Sequence, residues 1–332
     1  MAAIRTVDLT KRYGDVTAVE GLSLTVAEGE VFGFLGPNGA GKSTTIDLLL
    51  DYVRPTAGSA AVLGYDAQAE SAAVSRRVGV LPEDVDVYPR LTGRRHLEFA
   101  IETLEADDDP DALLDRVGLA PEARDRPAGD YSTGMRQRLA LGMALVGDPD
   151  LLVLDEPATG LDPHGIRELQ ALVREEADRG TTVFFSSHIL EHVEAVCDRV
   201  GVLFEGELVA VDTIAGLRES IGDGATMRVA FAESPADAEA VVATIDGVTD
   251  VVTAEASLEC TVTDPPAKAT VVTALDDAGA TIRDLRLEEP SLESLFTTLV
   301  GPSATDDATE PSPETDRDAD SSDVERGAEA VE

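Results

Sequence analysis

A glycine-rich loop between an apolar run and a helical run is the feature that most constrains the fold of this chain. Residues 36–44 read GPNGAGKST, follow GEVFGFL and lead into TTIDLLLDYV. They fit the pattern G-x-x-x-x-G-K-[ST], whose glycines let successive backbone N–H groups turn toward phosphate oxygens where a helix begins. About three chance matches are expected per thousand chains of this composition. The loop therefore predicts a strand, a phosphate-binding turn and a helix, in that order.

Two residues of this loop carry specific chemistry. Lys42 is expected to reach the β- and γ-phosphates, and the Ser43 hydroxyl to hold Mg²⁺. Lysine occurs elsewhere only at Lys11 and Lys268, and a compact ammonium fits a phosphate cradle better than a guanidinium fork does. The predicted nucleotide-binding residues of the loop are Gly36, Pro37, Asn38, Gly39, Ala40, Gly41, Lys42, Ser43 and Thr44.

Four short apolar runs predict buried parallel strands that end on the same edge of a sheet. They cover residues 30–35, 77–81, 151–154 and 181–185 and are rich in Val, Leu and Phe, as doubly covered strands are. A polar group follows each run: the loop, Glu83, Asp155 with Glu156, and His188. Ligands of open α/β sheets bind where such carboxyl ends meet. The opening segments AAIRTVDLTKRYG and TAVEGLSLTVAEGE alternate with period two and predict antiparallel strands.

Two adjacent carboxylates end the buried run LLVLDEP, which costs free energy unless they have partners. Beside a phosphate loop, Asp155 is expected to hold Mg²⁺ and Glu156 to deprotonate the attacking water. His188 follows TTVFFSS on the same predicted edge, near the γ-phosphate, and is interpreted as catalytic. The remaining histidines lack this context and are interpreted as surface or packing residues: His96, His164 and His192.

The acidity of the chain excludes some partners. It has 65 acidic residues against 26 Lys and Arg, for a net charge of −39, and resembles the low-lysine, carboxylate-coated proteins of extreme halophiles. This charge repels nucleic acid and argues against it as a partner. The 43% apolar content is enough for real cores, but no run reaches the roughly 18 apolar residues of a membrane span. We expect a soluble, cytoplasmic chain whose cysteines, Cys197 and Cys260, are buried hydrophobes.

Composition and periodicity divide the chain into three parts. Residues 1–217 form an α/β domain, interrupted at about 84–150 by segments of helical spacing such as RRHLEFAIETLEA and DALLDRVGL. Residues 218–301 follow a β-α-β-β-α-β rhythm, which predicts a small ferredoxin-like α+β domain. Residues 302–332 are rich in Asp, Glu, Ser, Pro and Thr and are predicted to be a disordered acidic tail.

One segment resembles the signature of a known family. YSTGM followed by RQR, at residues 131–138, resembles the motif LSGGQ-x-Q-R of the ATPase subunits of ABC transporters, and the resemblance extends over nearly all of residues 1–217. The fold implied is a P-loop ABC ATPase domain with a parallel core, an antiparallel β subdomain and a helical subdomain. The signature residues, implied to contact ATP bound by a second subunit, are Ser132, Thr133, Gly134 and Met135.

Other elements of that family follow in order. Tyr13 resembles the aromatic residue that stacks on adenine, although it could equally be a core residue. Asp162 lies in a segment similar to the D-loop, and His188 matches the switch histidine. Where the family has the Q-loop glutamine, this chain has Glu83, which can still contact Mg²⁺ or water.

The resemblance implies an ATP- and Mg²⁺-dependent ATPase that works as a head-to-tail homodimer or heterodimer. Ser132 of one subunit would cap the γ-phosphate bound by Lys42 of the other. A polytopic membrane permease on a separate chain would receive the motion through residues 88–92, which places the subunit at the inner face of the membrane. The segment EPSLESLF at 289–296 is similar to the end of type-2 exporter ATPases for drugs, antibiotics and polysaccharides, so export is expected.

Two alternatives remain open at the level of sequence. Soluble ABC ATPases of DNA repair or translation carry long coiled coils, zinc-hook cysteines or tandem ATPase domains, and this sequence shows none of these. A regulatory ATPase is the other alternative, in which the ferredoxin-like domain senses a small ligand.

Overall fold

Strands and helices occupy most of the chain that the computed structural model describes, residues 1–220, 224–233, 237–254 and 256–288. The strands are β1 (Ala2–Tyr13), β2 (Val16–Leu22), β3 (Thr25–Ala27), β4 (Val31–Leu35), β5 (Ala57–Val62), β6 (Tyr65–Asp66), β7 (Val78–Leu81), β8 (Leu151–Asp155), β9 (Thr182–Ser187), β10 (Arg199–Phe204), β11 (Glu207–Thr213), β12 (Ala225–Glu233), β13 (Val248–Ala254), β14 (Ser257–Val262) and β15 (Thr281–Glu288). The α-helices are α1 (Lys42–Leu49), α2 (Ser71–Ser75), α3 (Gly93–Leu104), α4 (Pro110–Arg116), α5 (Thr133–Ala144), α6 (Pro163–Asp178), α7 (Leu190–Glu194), α8 (Ile214–Ser220), α9 (Ala238–Val242) and α10 (Pro265–Asp277).

The central sheet is parallel apart from one edge strand. Its order is β11-β10-β4-β9-β8-β7, and β11 returns antiparallel beside β10. Every residue of β4, β8 and β9 is buried, because helices or a second sheet cover both faces. The four predicted strands are confirmed as β4, β7, β8 and β9, each within two residues of the expected bounds.

The antiparallel strands predicted near the beginning of the chain are also confirmed. They form a sheet of order β2-β1-β5-β6, with β3 paired to β1. This sheet and α1 enclose one core against the central sheet, around Phe34, Leu48 and Phe184. A second core lies on the other face, where Leu97, Leu139 and related side chains of α3 to α6 pack. Helix α1, which follows the glycine-rich loop, is therefore held between two sheets.

The segment between β7 and β8 is helical, as its spacing predicts, and contains α3, α4 and α5. Each helix begins at a residue whose side chain accepts a hydrogen bond from the first turn. Thr92 accepts from the Arg95 N–H at 3.2 Å, Asp109 from the Asp111 N–H at 2.9 Å, and Ser132 caps α5. Such caps satisfy N–H groups that the helix itself leaves unpaired.

The last described sheet has the order β13-β14-β12-β15, with all neighbours antiparallel. With α9 and α10 between its strands, this is the β-α-β-β-α-β pattern predicted from residue 218 onward. Cys260 is fully buried in its core beside Val229 and Leu275, whereas Cys197 is partly buried and packs against the core on the helix side of the central sheet. The segment EPSLESLF and the acidic tail lie outside the described residues. Within those residues, the helices are too short or too polar to cross a membrane.

Candidate functional site

The carboxyl ends of the parallel strands meet at a single site, as predicted. β4 leads into the glycine-rich loop, β7 leads to Glu83, β8 ends in Asp155 and β9 ends just before His188. The loop is tied to this edge because the Gly36 N–H donates to the carbonyl oxygen of Ser187 at 3.3 Å.

Glycine is required at two positions of the loop by close backbone contacts. A Cβ on Gly36 would lie 2.4 Å from the carbonyl oxygen of Leu203, and one on Gly41 would lie 2.4 Å from that of Ala18. Gly41 also has φ 106°, a left-handed conformation at the start of α1 that side chains disfavour. The glycines of the motif are therefore needed because the backbones of β2 and β10 lie directly against the loop.

Lys42 is buried at 6% exposure, with its charge compensated inside the protein. Its Nζ donates to the carbonyl oxygens of Gly36 at 2.8 Å and Pro37 at 3.2 Å. It also lies 3.3 Å from Oε1 of Glu156. A buried ammonium is costly without partners. Two loop carbonyl oxygens and the carboxylate of Glu156 therefore hold the Lys42 side chain in place.

Glu156 is held by two cationic or donor groups. Its Oε1 faces Lys42, and its Oε2 accepts a hydrogen bond from Nδ1 of His188 at 2.9 Å. The residue is 5% exposed and has φ 46°, a conformation that is uncommon outside glycine and concentrates at functional sites. The carboxylate is thus oriented rigidly at the edge of the pocket.

Asp155 lies deeper than Glu156. It is 5% exposed, and burial raises the pKa of its carboxyl group, while the neighbouring hydroxyls of Ser186 and Ser43 oppose that rise. Its Oδ1 is buried without a hydrogen-bond partner in the described chain. An unpartnered carboxylate oxygen beside the Ser43 hydroxyl suits a hard cation such as Mg²⁺, which prefers oxygen ligands.

These residues border a pocket of about 210 Å³. Its lining includes six of the predicted site residues of the loop and its helix together with Glu83 and Glu156, and also Ala18, which carried no chemical signal in the sequence. The lining residues are Ala18, Asn38, Gly39, Gly41, Lys42, Ser43, Thr44, Glu83 and Glu156.

Glu83 sits at the exposed mouth of this pocket. Partial burial raises the pKa of its carboxyl group, and the negative charges of Asp155 and Glu156 raise it further. Among the described residues, no three acidic, histidine or cysteine side chains come close enough to hold one ion between them. The prediction that Glu83 ligates the metal therefore stays a prediction.

The signature residues lie away from the pocket of their own chain. Ser132 accepts a hydrogen bond from the Met135 N–H at 3.3 Å. Thr133 and Gly134 lie against Gly160, since a Cβ added to Gly160 would be 2.5 Å from the side chain of Thr133. Asp162 caps α6 by accepting from the Gly165 N–H at 2.7 Å. The signature and the D-loop thus pack on each other within one chain.

Tyr13 is also outside the pocket lining. It ends β1, is 47% exposed, and its ring centroid lies 4.8 Å from the Lys11 ammonium. Its predicted contact with adenine is therefore untested by this geometry. His96, by contrast, is a packing residue, since it is buried and bridges the backbone of Tyr88 and Thr92.

The comparisons with known proteins agree with this geometry. The family model for ABC transporters matches residues 19–159. The linearmycin resistance ATP-binding protein LnrL of Bacillus subtilis is 33% identical, over 89% of this chain and 97% of its own length. The daunorubicin/doxorubicin resistance ATP-binding protein DrrA of Streptomyces peucetius is 36% identical, over 95% and 97%. The bacitracin transport ATP-binding protein BcrA of Bacillus licheniformis is 41% identical, over 62% and 68%.

Solved structures share the fold. An ATP-binding subunit of an ABC transporter has a TM-score of 0.61 at 28% identity, over 66% of this chain and 93% of that one. A cassette dimer in a post-hydrolysis state with ADP and Pi has a TM-score of 0.59 at 21% identity, over 64% and 98%. Given the phosphate loop, the paired carboxylates and relatives aligned over nearly their full length, the chain belongs to the ABC transporter family as one of its ATP-binding, ATP-hydrolysing subunits.

Proposed function

We propose that this subunit powers the export of a drug-like or antibiotic-like compound through a separately encoded membrane permease. Two relatives named for antibiotic resistance align over 97% of their own length, so the similarity extends past the ATPase domain into the C-terminal part. We assign the ATPase to residues 1–217, an accessory domain to 218–301 and an acidic tail to 302–332. This similarity over nearly the full length of two resistance proteins is the observation that carries the proposal.

Residue roles follow from the contacts in the pocket. Incoming phosphates take over Lys42, whose ammonium then leaves Oε1 of Glu156. That oxygen becomes free to accept a proton from the attacking water, while His188 keeps Oε2 in place through Nδ1. A positioned general base of this kind contributes about 10²–10⁴-fold to the rate.

Magnesium fits the same site. The Ser43 hydroxyl and the unpartnered Oδ1 of Asp155 would hold it. When bound, it would neutralise charge on the β- and γ-phosphates. The loop residues 36–44 surround the phosphates, and Tyr13 stacks on the adenine.

The site of one chain is incomplete. Ser132 and Gly134 do not line the pocket that contains Lys42, yet Ser132 stands at the N-terminus of α5, where backbone N–H groups favour an anion. A second subunit placed head to tail brings this helix terminus to the γ-phosphate. Hydrolysis therefore requires two subunits, either identical or different.

Mixing two inactive variants tests the shared site. Lys42→Ala removes the phosphate contact of one subunit and Ser132→Arg blocks the signature of the other. Equal mixing forms mixed dimers in half of the population, each with one intact site, so about a quarter of the wild-type ATPase rate should return. Activity that stays at the level of the separate variants would contradict a site shared between two copies of this chain.

The permease is expected to bind near the start of the helical segment. Tyr88 is 65% and Leu91 36% exposed, and the Leu91 N–H donates to the carbonyl oxygen of Tyr88 at 3.0 Å, so two exposed apolar side chains stand in one turn, as they do at interaction surfaces. This docking places the subunit on the inner face of the membrane. Tyr88→Glu should abolish copurification with the permease from detergent extracts without changing the ATPase rate of the isolated subunit, and Val252→Glu, at a site on β13 that is 64% exposed, is the matched control. Copurification that survives Tyr88→Glu would move the docking surface elsewhere.

A further inference from the structure

The nucleotide pocket carries an excess of negative charge. Its lining contains Lys42 together with Glu83 and Glu156, and Asp155 lies buried at the end of β8 beside it. Three carboxylates therefore surround one ammonium in a site that must accept a polyphosphate. Like charges in a partly desolvated pocket repel more strongly than they do in water.

Glu83 differs from the other two carboxylates in its surroundings. Oε1 of Glu156 forms an ion pair with Lys42 at 3.3 Å, without a hydrogen bond, and its Oε2 accepts a hydrogen bond from Nδ1 of His188 at 2.9 Å. Asp155 is buried, with its Oδ1 unpartnered among the described residues, whereas Glu83 is exposed. For Glu83, the described part of the chain supplies no hydrogen bond or ion pair. Its interactions with Asp155, Glu156 and Lys42 are electrostatic, without direct contact.

We propose that Glu83 makes nucleotide binding conditional on a divalent cation, so that the subunit takes the metal–ATP complex and rejects metal-free ATP. This inference rests on the proposed nucleotide site. An exposed carboxylate that lines the pocket repels the phosphates of uncomplexed ATP, and the repulsion weakens when a divalent cation neutralises part of the charge on those phosphates. A neutral amide at the same position would discriminate less between the two forms.

The coupling is reciprocal. If Glu83 makes the cation favour ATP binding, bound ATP must strengthen cation binding by the same factor. The effect depends only on the charge of Glu83 and its place in the pocket, and direct ligation of the metal by Glu83 is not required.

The test compares dissociation constants for the β,γ-imido analogue of ATP, with Mg²⁺ and with EDTA, at constant ionic strength. The discrimination ratio is the dissociation constant in EDTA divided by that in Mg²⁺. In Glu83→Gln this ratio should fall at least about fivefold, which is the lower end of typical coupling between sites. The fall should come mainly from tighter binding of the metal-free analogue. Asp84→Asn removes the same charge one residue away and outside the pocket lining, and its ratio should stay within about twofold. Electron paramagnetic resonance of Mn²⁺ with the analogue should show weaker cation binding in Glu83→Gln.

Three results would overturn the inference: an unchanged ratio in Glu83→Gln, an equal fall in Asp84→Asn, or Mn²⁺ binding that is unaffected by Glu83→Gln. A wild-type chain that binds neither form of the nucleotide would instead refute the proposed nucleotide site, and the inference with it.

Discussion

Replacing Glu156, the proposed general base, with glutamine should separate nucleotide binding from catalysis. The amide keeps the size of the side chain at a position that is 5% exposed. Its oxygen can face Lys42, and its NH₂ group can donate to Nδ1 of His188, so the pocket keeps its shape. The substitution removes the proposed proton acceptor and the countercharge of Lys42, and little else.

The expected magnitudes follow from these contacts. Breaking a buried ion pair costs about 3–5 kcal/mol, and Lys42 keeps its two carbonyl acceptors, so we expect a loss near 3 kcal/mol in the free energy of unfolding without nucleotide. ATP phosphates replace the missing countercharge, and ATP should therefore bind at least as tightly as in the wild type. The kcat should fall by about 10²–10⁴, the contribution of a general base.

Phosphate release, nucleotide binding by calorimetry and thermal unfolding with and without ATP measure these three quantities. Asp150→Asn is the control, since Asp150 precedes the opposite end of β8 and pairs with Arg77 at 2.7 Å in a half-exposed bridge. Its kcat should stay within about twofold, and its stability within about 1 kcal/mol. A Glu156→Gln variant that retains more than about a tenth of the wild-type kcat would refute the assignment of the base.

Four further outcomes are expected. Gly41→Ala should weaken ATP binding about 100-fold by calorimetry, because its Cβ would clash with the Ala18 carbonyl at a left-handed φ; near-normal affinity would contradict this. Arg116→Ala should lower the unfolding free energy in urea by about 3 kcal/mol, since it leaves Glu176, which is 2% exposed, without its main partner; a loss below about 1 kcal/mol would not fit. Unfolding free energy should rise between 0.1 M and 3 M KCl, because salt screens the net charge of −39; stability independent of KCl would count against this. Cys260, whose thiol pKa is raised by burial, should react with a thiol reagent at pH 8 only on unfolding, and rapid labelling of the native protein would exclude the buried position.

Local signals in the sequence were sufficient to predict which side chains meet at the candidate site. Lys42, Asp155 and His188 each follow a short apolar run, and such runs are typical of buried parallel strands. The meeting of these residues on one edge then follows from the direction of parallel strands. Both the strands and their common edge were predicted for this reason.

Contacts that depend on distant residues could not be predicted. β10 and β11 were missed, since β10 is stabilised by pairing with β4, from which it is separated by most of the ATPase domain. Ala18 borders the pocket only because its carbonyl oxygen approaches Gly41. The folding back of Lys42 onto Glu156 depends on three oxygens from two separate segments, and no spacing rule describes such a contact.

The helical segment between β7 and β8 is attached to the central sheet at opposite ends of two neighbouring strands. It leaves at the pocket, just after Leu81, and returns beside Asp150, next to the first residue of β8. Two such anchors, separated by roughly 13 Å at about 3.3 Å per strand residue, define a hinge axis parallel to the strands. A rigid rotation of α3 to α5 about this axis moves the N-terminus of α5 along an arc and leaves the strand ends in place. The hydrogen bond from Gln137 to Pro157 and the ion pair of Arg116 with Glu176 join the segment to the core off this axis, so they set the resistance to that rotation.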